Sequence, residues 1–205
     1  TGGETTGGTI LASAQVFDPA TGLFTATAAP MATARKQHTG TLLTDNRILI
    51  AGGEGASGSL AAAEIYDPTA NSFAATGAMA TARSGHFAWR LVDGRIGVIA
   101  GRSGATLLAS AEVFTVASGT WAVNGGLLTA RADFAAGLQG DGKIAVAGGT
   151  DAGGVTLAVE IYNPSGGAST ARASLSAPRR FHSLVVQTGE HGQAGEARLV
   201  DEVKD

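Results

Sequence analysis

The sequence predicts an all-β protein assembled from one unit used several times, and two observations predict it. The first is a period of 48 residues: arginine stands at Arg35, Arg83, Arg131 and Arg179, and glutamate at Glu64, Glu112 and Glu160. Asp45, Asp93 and Asp141, and Gly53, Gly101 and Gly149, keep the same interval. A fixed period of this length marks a repeat array. The second observation is the apolar pattern inside each unit. It consists of short runs closed by Gly, Pro, Asp or Asn, not of a stripe at helical spacing. Gly or Pro interrupts most of the apolar runs, and 31 of the 205 residues are glycine.

Taken in order, residues 1–30 form an incomplete first unit. Gly2-Gly3 match Gly52-Gly53. Ile10–Asp18 reads as a strand, and Asp18-Pro19-Ala20-Thr21-Gly22 as its turn, because Pro presets φ, Asp bonds the backbone and Gly takes positive φ. Leu23–Thr27 is the next strand. Residues 31–78 are the first full unit. It has strands at His38–Thr44, Arg47–Ala51, Ala63–Asp67 and Ser72–Thr76, with a turn at Asp45-Asn46 and a stop at Gly52-Gly53. The alanine-rich stretch Leu60–Ile65 aligns with the strand positions of the later copies.

Residues 79–126 repeat this, with Asp93-Gly94 expected to make a two-residue turn in which both residues have positive φ. Ala100 replaces the first glycine here. Residues 127–174 are the third full unit, in which Phe134 stands where His38 and His86 stand, and Ser169 where Phe24, Phe73 and Trp121 stand. A further unit begins at residues 175–187 with Arg179, His182 and an expected strand Ser183–Gln187. After that the pattern fails, although Arg198–Val203 could add one strand and the charged end reads as a solvated tail. The whole of 1–205 is thus expected to be a single repeat array, 175–205 being a partial unit.

Composition narrows the function classes. The formal net charge is −3 and the 14 basic residues are dispersed, so nucleic acid is not an expected partner. No apolar run approaches the roughly 18 residues of a membrane span. The chain has no cysteine, which removes disulfides, thiolate chemistry and zinc–sulfur sites. The chain opens inside a repeat, so a leader is expected upstream.

Three pieces together resemble kelch repeats, most closely those of bacterial multi-kelch proteins: Arg47-Ile-Leu-Ile-Ala-Gly-Gly53, Glu64-Ile-Tyr-Asp-Pro68 and Met79-Ala-Thr-Ala-Arg-Ser-Gly-His86. The resemblance covers about residues 1–187. It implies a kelch-type β-propeller of four-stranded antiparallel blades around a channel. The strand after Met-x-x-x-Arg would be innermost and the aromatic strand outermost. Rings of this kind have six or seven blades, and about four are present. A partial ring, a ring completed by exchange with a second copy, and a small closed ring are the three accounts. The alanine-, glycine- and arginine-rich, lysine-poor character points to a bacterial source, and the resemblance to an extracytoplasmic home.

Arg35, Arg83, Arg131 and Arg179 are the foremost candidate ligand residues. Each enters an innermost strand of the implied propeller and would stand at one channel mouth. Guanidiniums converging there would take carboxylate or phosphate, and in related adaptors arginines at this position grip acidic peptides. The structural alternative is that each arginine ties its own loop to a neighbouring blade. His38, His86 and His182 share one repeat position and join the candidate mouth. They are not expected to hold a metal, because one ion needs its nitrogens within about 2.1 Å and the three lie on different blades. Glu64, Glu112 and Glu160 are expected to make structural hydrogen bonds, and Asp45, Asp93 and Asp141 to build turns.

Neither a phosphate-binding Gly-x-x-x-x-Gly-Lys loop nor a Gly-x-Ser-x-Gly elbow occurs. The copper chemistry of galactose oxidase, which is built from similar blades, needs a cysteine that this chain lacks. The function expected is therefore a non-catalytic binding or scaffold module without cofactor. It would meet a protein, an acidic peptide or a small anion at the arginine mouth and at the loops Glu54–Leu60, Arg102–Leu107 and Thr150–Thr156. The alternatives are a propeller enzyme (lyase, glycosidase or lactonase) completed by other blades or a partner chain, and a repeat assembly with no ligand.

Overall fold

The computed structural model describes residues 1–186, and every regular element among them is a strand. β1 (Gln15–Asp18) and β2 (Leu23–Ala26) form a two-stranded hairpin. β3 (Thr39–Leu42), β4 (Ile48–Ala51), β7 (Ala63–Asp67) and β8 (Ser72–Thr76) make a four-stranded sheet in that order, while β5 (Glu54–Gly55) and β6 (Gly58–Ser59) form a small ribbon beside it. The next copy has β9 (Phe87–Arg90), β10 (Ile96–Ile99), β13 (Ser110–Thr115) and β14 (Thr120–Gly126) in one sheet, with β11 (Arg102–Ser103) and β12 (Thr106–Leu107) as its ribbon. The third has β15 (Ala135–Leu138), β16 (Ile144–Ala147), β19 (Val159–Asn163) and β20 (Ala168–Arg172), with β17 (Thr150–Asp151) and β18 (Gly154–Val155).

Strand follows strand in space as in sequence, which is the meander of a propeller-type blade. The register repeats as well. Ile48 lies opposite Tyr66 and Ala51 opposite Ala63; 96 residues later Ile144 lies opposite Tyr162 and Ala147 opposite Val159.

Two compact units can be distinguished, and neither follows the repeat boundaries. One holds Thr1–Val98, Arg102–Thr106 and Glu112–Ala122; the other holds Ile99–Gly101, Leu107–Ala111 and the chain from Val123 onward. In the first unit the core is a sheet-to-sheet contact. Leu49 and Ala51 alternate along β4 and lie opposite Ile65 and Ala63 of β7, so the four share one face. Against that face pack Ile96, Phe114 and Trp121. Phe114 is fully buried, and its ring lies 5.1 Å from that of Trp121.

Several elements differ from expectation. Ile10 joins no strand but makes an isolated bridge to Glu4. The 183–186 stretch is not a strand; Gln187 and Arg198–Val203 lie outside the described residues. The three second-to-third-strand loops are two-residue ribbons. The hairpin turn at Asp93-Gly94 is not the expected type either: only Gly94 has positive φ, at 86°. The amide of Gly94 reaches the carbonyl of Leu91, and the amide of Leu91 that of Arg95, which gives a three-residue loop. Asp93 explains the choice, because its Oδ1 accepts from the Arg95 amide and its Oδ2 from the Arg95 guanidinium. That bond also holds the Asp93 carboxyl below its ordinary value.

Phe114→Ala is expected to destabilise the protein by about 3–5 kcal/mol, since it opens a cavity in the contact between two sheets. Urea denaturation followed by circular dichroism measures it, and a loss below about 1 kcal/mol would contradict the packing described.

Candidate functional site

Each repeat joins its neighbours through the segment entering its first strand. In the segment Met79–Arg83 the amide of Met79 donates to Ala61 O (2.9 Å), the amide of Arg83 to Leu60 O (3.0 Å), and the carbonyl of Arg83 accepts from Gly53 N (2.8 Å). The same three bonds recur around Met31–Arg35 (to Ala12, Leu11 and Gly3), Leu127–Arg131 (to Ala109, Leu108 and Gly101) and Leu175–Arg179 (to Leu157, Thr156 and Gly149). So the backbone of each segment belongs to the preceding repeat.

Its side chain belongs to its own repeat. Arg35 Nη2 donates to Glu64 Oε1 at 2.6 Å, and Nη1 to the carbonyls of Gly52 and Ala62 at 2.9 Å each. The Glu64 carboxylate also accepts the amides of Ala32 (2.7 Å) and Thr33 (3.3 Å). Arg83 pairs with Glu112 at 2.8 Å, and Arg131 with Glu160 at 2.6 Å, with equivalent amide bonds. All three arginine side chains have 0% exposure. Burial pushes the Arg83 guanidinium down, and the bond to Glu112 opposes this.

The expectation that Arg35, Arg83 and Arg131 line an open mouth for an anion does not match this geometry: each guanidinium is enclosed and already holds a carboxylate. Their structural alternative, a tie between repeats, fits. The glutamates make the structural bonds expected of them. Arg179 is half-buried, with Nε donating to Ala177 O at 3.4 Å.

The histidines occupy the same joints. A Cβ on Gly52 would lie 2.9 Å from His86 Cε1 and 2.5 Å from Arg83 O; Gly2 meets His38 and Arg35 O, and Gly148 meets His182 and Arg179 O, in the same way. These glycines have φ of +60°. The three rings therefore each cover a different diglycine. His86 Nε2 bonds Thr39 Oγ1 at 2.9 Å, and His38 Nε2 bonds Thr1 Oγ1 at 3.0 Å. Burial, reinforced by the neighbouring arginine, pushes His38 down to about 4 and His86 to about 3, and lowers His182 as well. In the one repeat where the first glycine is Ala100, held at φ 59°, the next repeat carries Phe134 in place of histidine. The glycine and the histidine vary together.

What changes from copy to copy lies on the ribbons and just after Arg. Lys36, Ser84 and Ala132 bridge to Glu54, Arg102 and Thr150. Lys36 also pairs with Glu4 at 2.9 Å. Gln37, Gly85, Asp133 and Phe181 all adopt left-handed backbone, and the amides of Gly85 and Phe181 donate to Gln37 O and Asp133 O. Phe181 is 74% exposed in this strained conformation. Reading the arginines and glutamates as separate series misses their pairing. The signal is their constant separation of 29 residues, with opposite charge, in three copies.

These joints and four-stranded sheets define a protein of β-propeller type. Among solved structures the chain is similar to the one titled "Structure of YjhT", with a TM-score of 0.65 and 18% identity over 77% of this chain. It spans only 57% of the length of YjhT, and the likeness shows the fold alone. No family model matches the chain, and no curated protein matches it either.

Glu112→Ala leaves the buried Arg83 without its carboxylate and is expected to cost about 3–5 kcal/mol, whereas Arg83→Met combined with Glu112→Leu should recover most of that loss. Equal losses in both variants by chemical denaturation would show that the pair is not what the joint depends on. Gly52→Ala should cost roughly 2 kcal/mol or more through backbone strain and the contacts with Arg83 O and His86, and less when His86→Phe is added.

A pH dependence follows from His86. Its folded value lies below its unfolded one, so the unfolded chain binds the proton first. The stability that depends on the neutral ring is complete above the ordinary histidine value of 6.5 and declines as pH falls from there toward about 3. The slope approaches about 1.4 kcal/mol per pH unit for one such group. Denaturation at pH 7 and pH 5, with His86→Gln as the comparison, reads it; an unchanged slope in that variant would remove His86 as the source.

Proposed function

We propose that the chain is a kelch-type propeller segment acting as a non-catalytic binding or scaffold module. It would meet a protein partner through the ribbons at 54–59, 102–107 and 150–155 and the left-handed positions beside them. One observation carries this reading. The buried charges are committed to the joints in the three full copies, whereas the chemistry that differs between copies is displayed on the ribbons. Glu54, Arg102 and Thr150 occupy one ribbon position, and Gln37, Asp133 and Phe181 another. Variable groups on a rigid repeated scaffold are the usual means of recognition. The order of Gly-Gly, Glu-x-Tyr-Asp-Pro, an outer aromatic and Met-x-x-x-Arg supports the kelch assignment, since each piece has one fixed place in the blade. A protein partner is favoured over a small anion because three of the four candidate arginines are enclosed.

Replacing the ribbon tips Ala56-Ser57, Gly104-Ala105 and Ala152-Gly153 by longer Gly-Ser linkers tests the reading. Peptides selected from a displayed library on the unaltered chain are expected to bind the variant about ten-fold more weakly or worse, with the thermal midpoint retained. Equal binding to both chains would place recognition elsewhere.

A further inference from the structure

The outer strand of the second repeat is tied to the third repeat through an asparagine. Asn124 lies near the end of β14, and its side-chain amide donates to Pro164 O at 2.8 Å, in the turn between β19 and β20. Its backbone carbonyl accepts from the Tyr162 hydroxyl at 2.5 Å. Beside it, the Gly126 amide donates to Gly167 O at 3.2 Å. All of these residues belong to the second compact unit.

The residue after Asn124 is Gly125, and that order has a chemistry of its own. The Gly125 backbone nitrogen can bond to Asn124 Cγ, while its proton and the side-chain amide group leave as ammonia. A cyclic succinimide results. Water then opens the ring at either carbonyl and gives aspartate or isoaspartate, with no oxidant or cofactor required. Gly125 offers no side chain to obstruct the attack, and it is exposed with φ of +64°.

Asn124 differs from the other candidates. Asn46 and Asn71 precede Arg47 and Ser72, whose side chains crowd the attacking amide. Asn163 precedes Pro164, which has no N–H to give up. Asp93-Gly94 and Asp141-Gly142 have the glycine but lack the leaving group. Hydrogen bonds from Arg95 and Lys143 hold those carboxyls below their ordinary value, and an ionised carboxylate expels nothing. The equivalent pairs of the neighbouring repeats, Thr76-Gly77 and Arg172-Ala173, carry no side-chain amide. What restrains Asn124 is the tie itself. Its bonds to Pro164 and Tyr162 fix both reacting partners, so attack requires local opening at the strand end.

We propose that Asn124 is a site of spontaneous succinimide formation, restrained by this tie and releasing it on conversion. Aspartate sets a carboxylate against Pro164 O with no proton to share. Isoaspartate adds a methylene to the backbone beside Gly125, where even a Cβ would lie 1.7 Å from Gly167 O. Neither product restores the bond to Pro164. Solvent does not reverse the change, so the tie weakens with the age of the chain. The site is independent of the ribbons proposed for recognition.

The 205-residue chain is kept at physiological temperature in mildly alkaline buffer and mapped by mass spectrometry against time. Aspartate and isoaspartate are expected at 124 before they appear at 46 or 71. Tyr162→Phe removes one restraining bond and should speed conversion roughly five-fold, the effect of one hydrogen bond on the opening equilibrium, with the circular dichroism spectrum kept. Amide exchange on the converted fraction should show lost protection at Gly126 and retained protection at Gly77, whose amide donates to Gly119 O. Conversion at 46 or 71 as early as at 124 overturns the proposal. So does a converted fraction with full protection at Gly126, or a Tyr162→Phe chain that converts no faster than the unaltered one.

Discussion

A buried guanidinium holding a buried carboxylate is the constraint on which each repeat depends. Burying either charge alone would be costly, since the desolvation of an unpaired ion costs several kcal/mol. Together, and with two backbone amides completing the carboxylate, they are satisfied. The consequence is geometric. Arg35 reaches Glu64 only if the segment before the first strand lies across the third strand of its own sheet. The backbone of that segment is meanwhile bonded to the preceding repeat. One residue thus fixes where a repeat starts and how it meets the one before it. Buried ion pairs of this kind are weak evidence of net stability, but removing one partner is strongly destabilising.

Around that pair the joint leaves little freedom. The first glycine of the pair turns the chain where an added Cβ would press on the carbonyl of the next arginine, and the histidine ring covers the turn. Burial favours the neutral ring at His38 and His86, where one ring nitrogen bonds a threonine hydroxyl. Ala100 and Phe134 show the tolerance of the arrangement: a methyl at the turn goes with an aromatic that has no ring nitrogen. By contrast, the Asp45–Arg47, Asp93–Arg95 and Asp141–Lys143 pairs sit in water at the hairpin tips, where screened, exposed pairs contribute little. They choose the turn type and little else.

This division assigns the roles of the surface. Groups repeated at 48-residue intervals are consumed by architecture. Groups that differ at one repeat position, such as Glu54, Arg102 and Thr150, stay partly exposed on the ribbons. Apolar positions that meet a neighbouring sheet, such as Leu49 and Phe114, are covered.

Much of this was legible in the residues. Period, strand order and turn sites follow from local chemistry: Ala63–Asp67 and Ser72–Thr76 are strands with the expected bounds because β-branched and aromatic residues there are fenced by Gly, Pro and Asn. The arginines could be found by recurrence, but not their orientation. A charged side chain at a repeat position reads the same whether it points to solvent or to a glutamate 29 residues on. The difference is a matter of distance through space, and only the folded sheets bring Arg35, Arg83 and Arg131 within 3 Å of a carboxylate. The sequence by itself determined that one unit recurs and what strands compose it, because periodicity and turn chemistry are local. Tertiary structure alone decided which recurring groups are spent inside the joints and which remain outside, because burial is a property of packed surfaces and not of spacing.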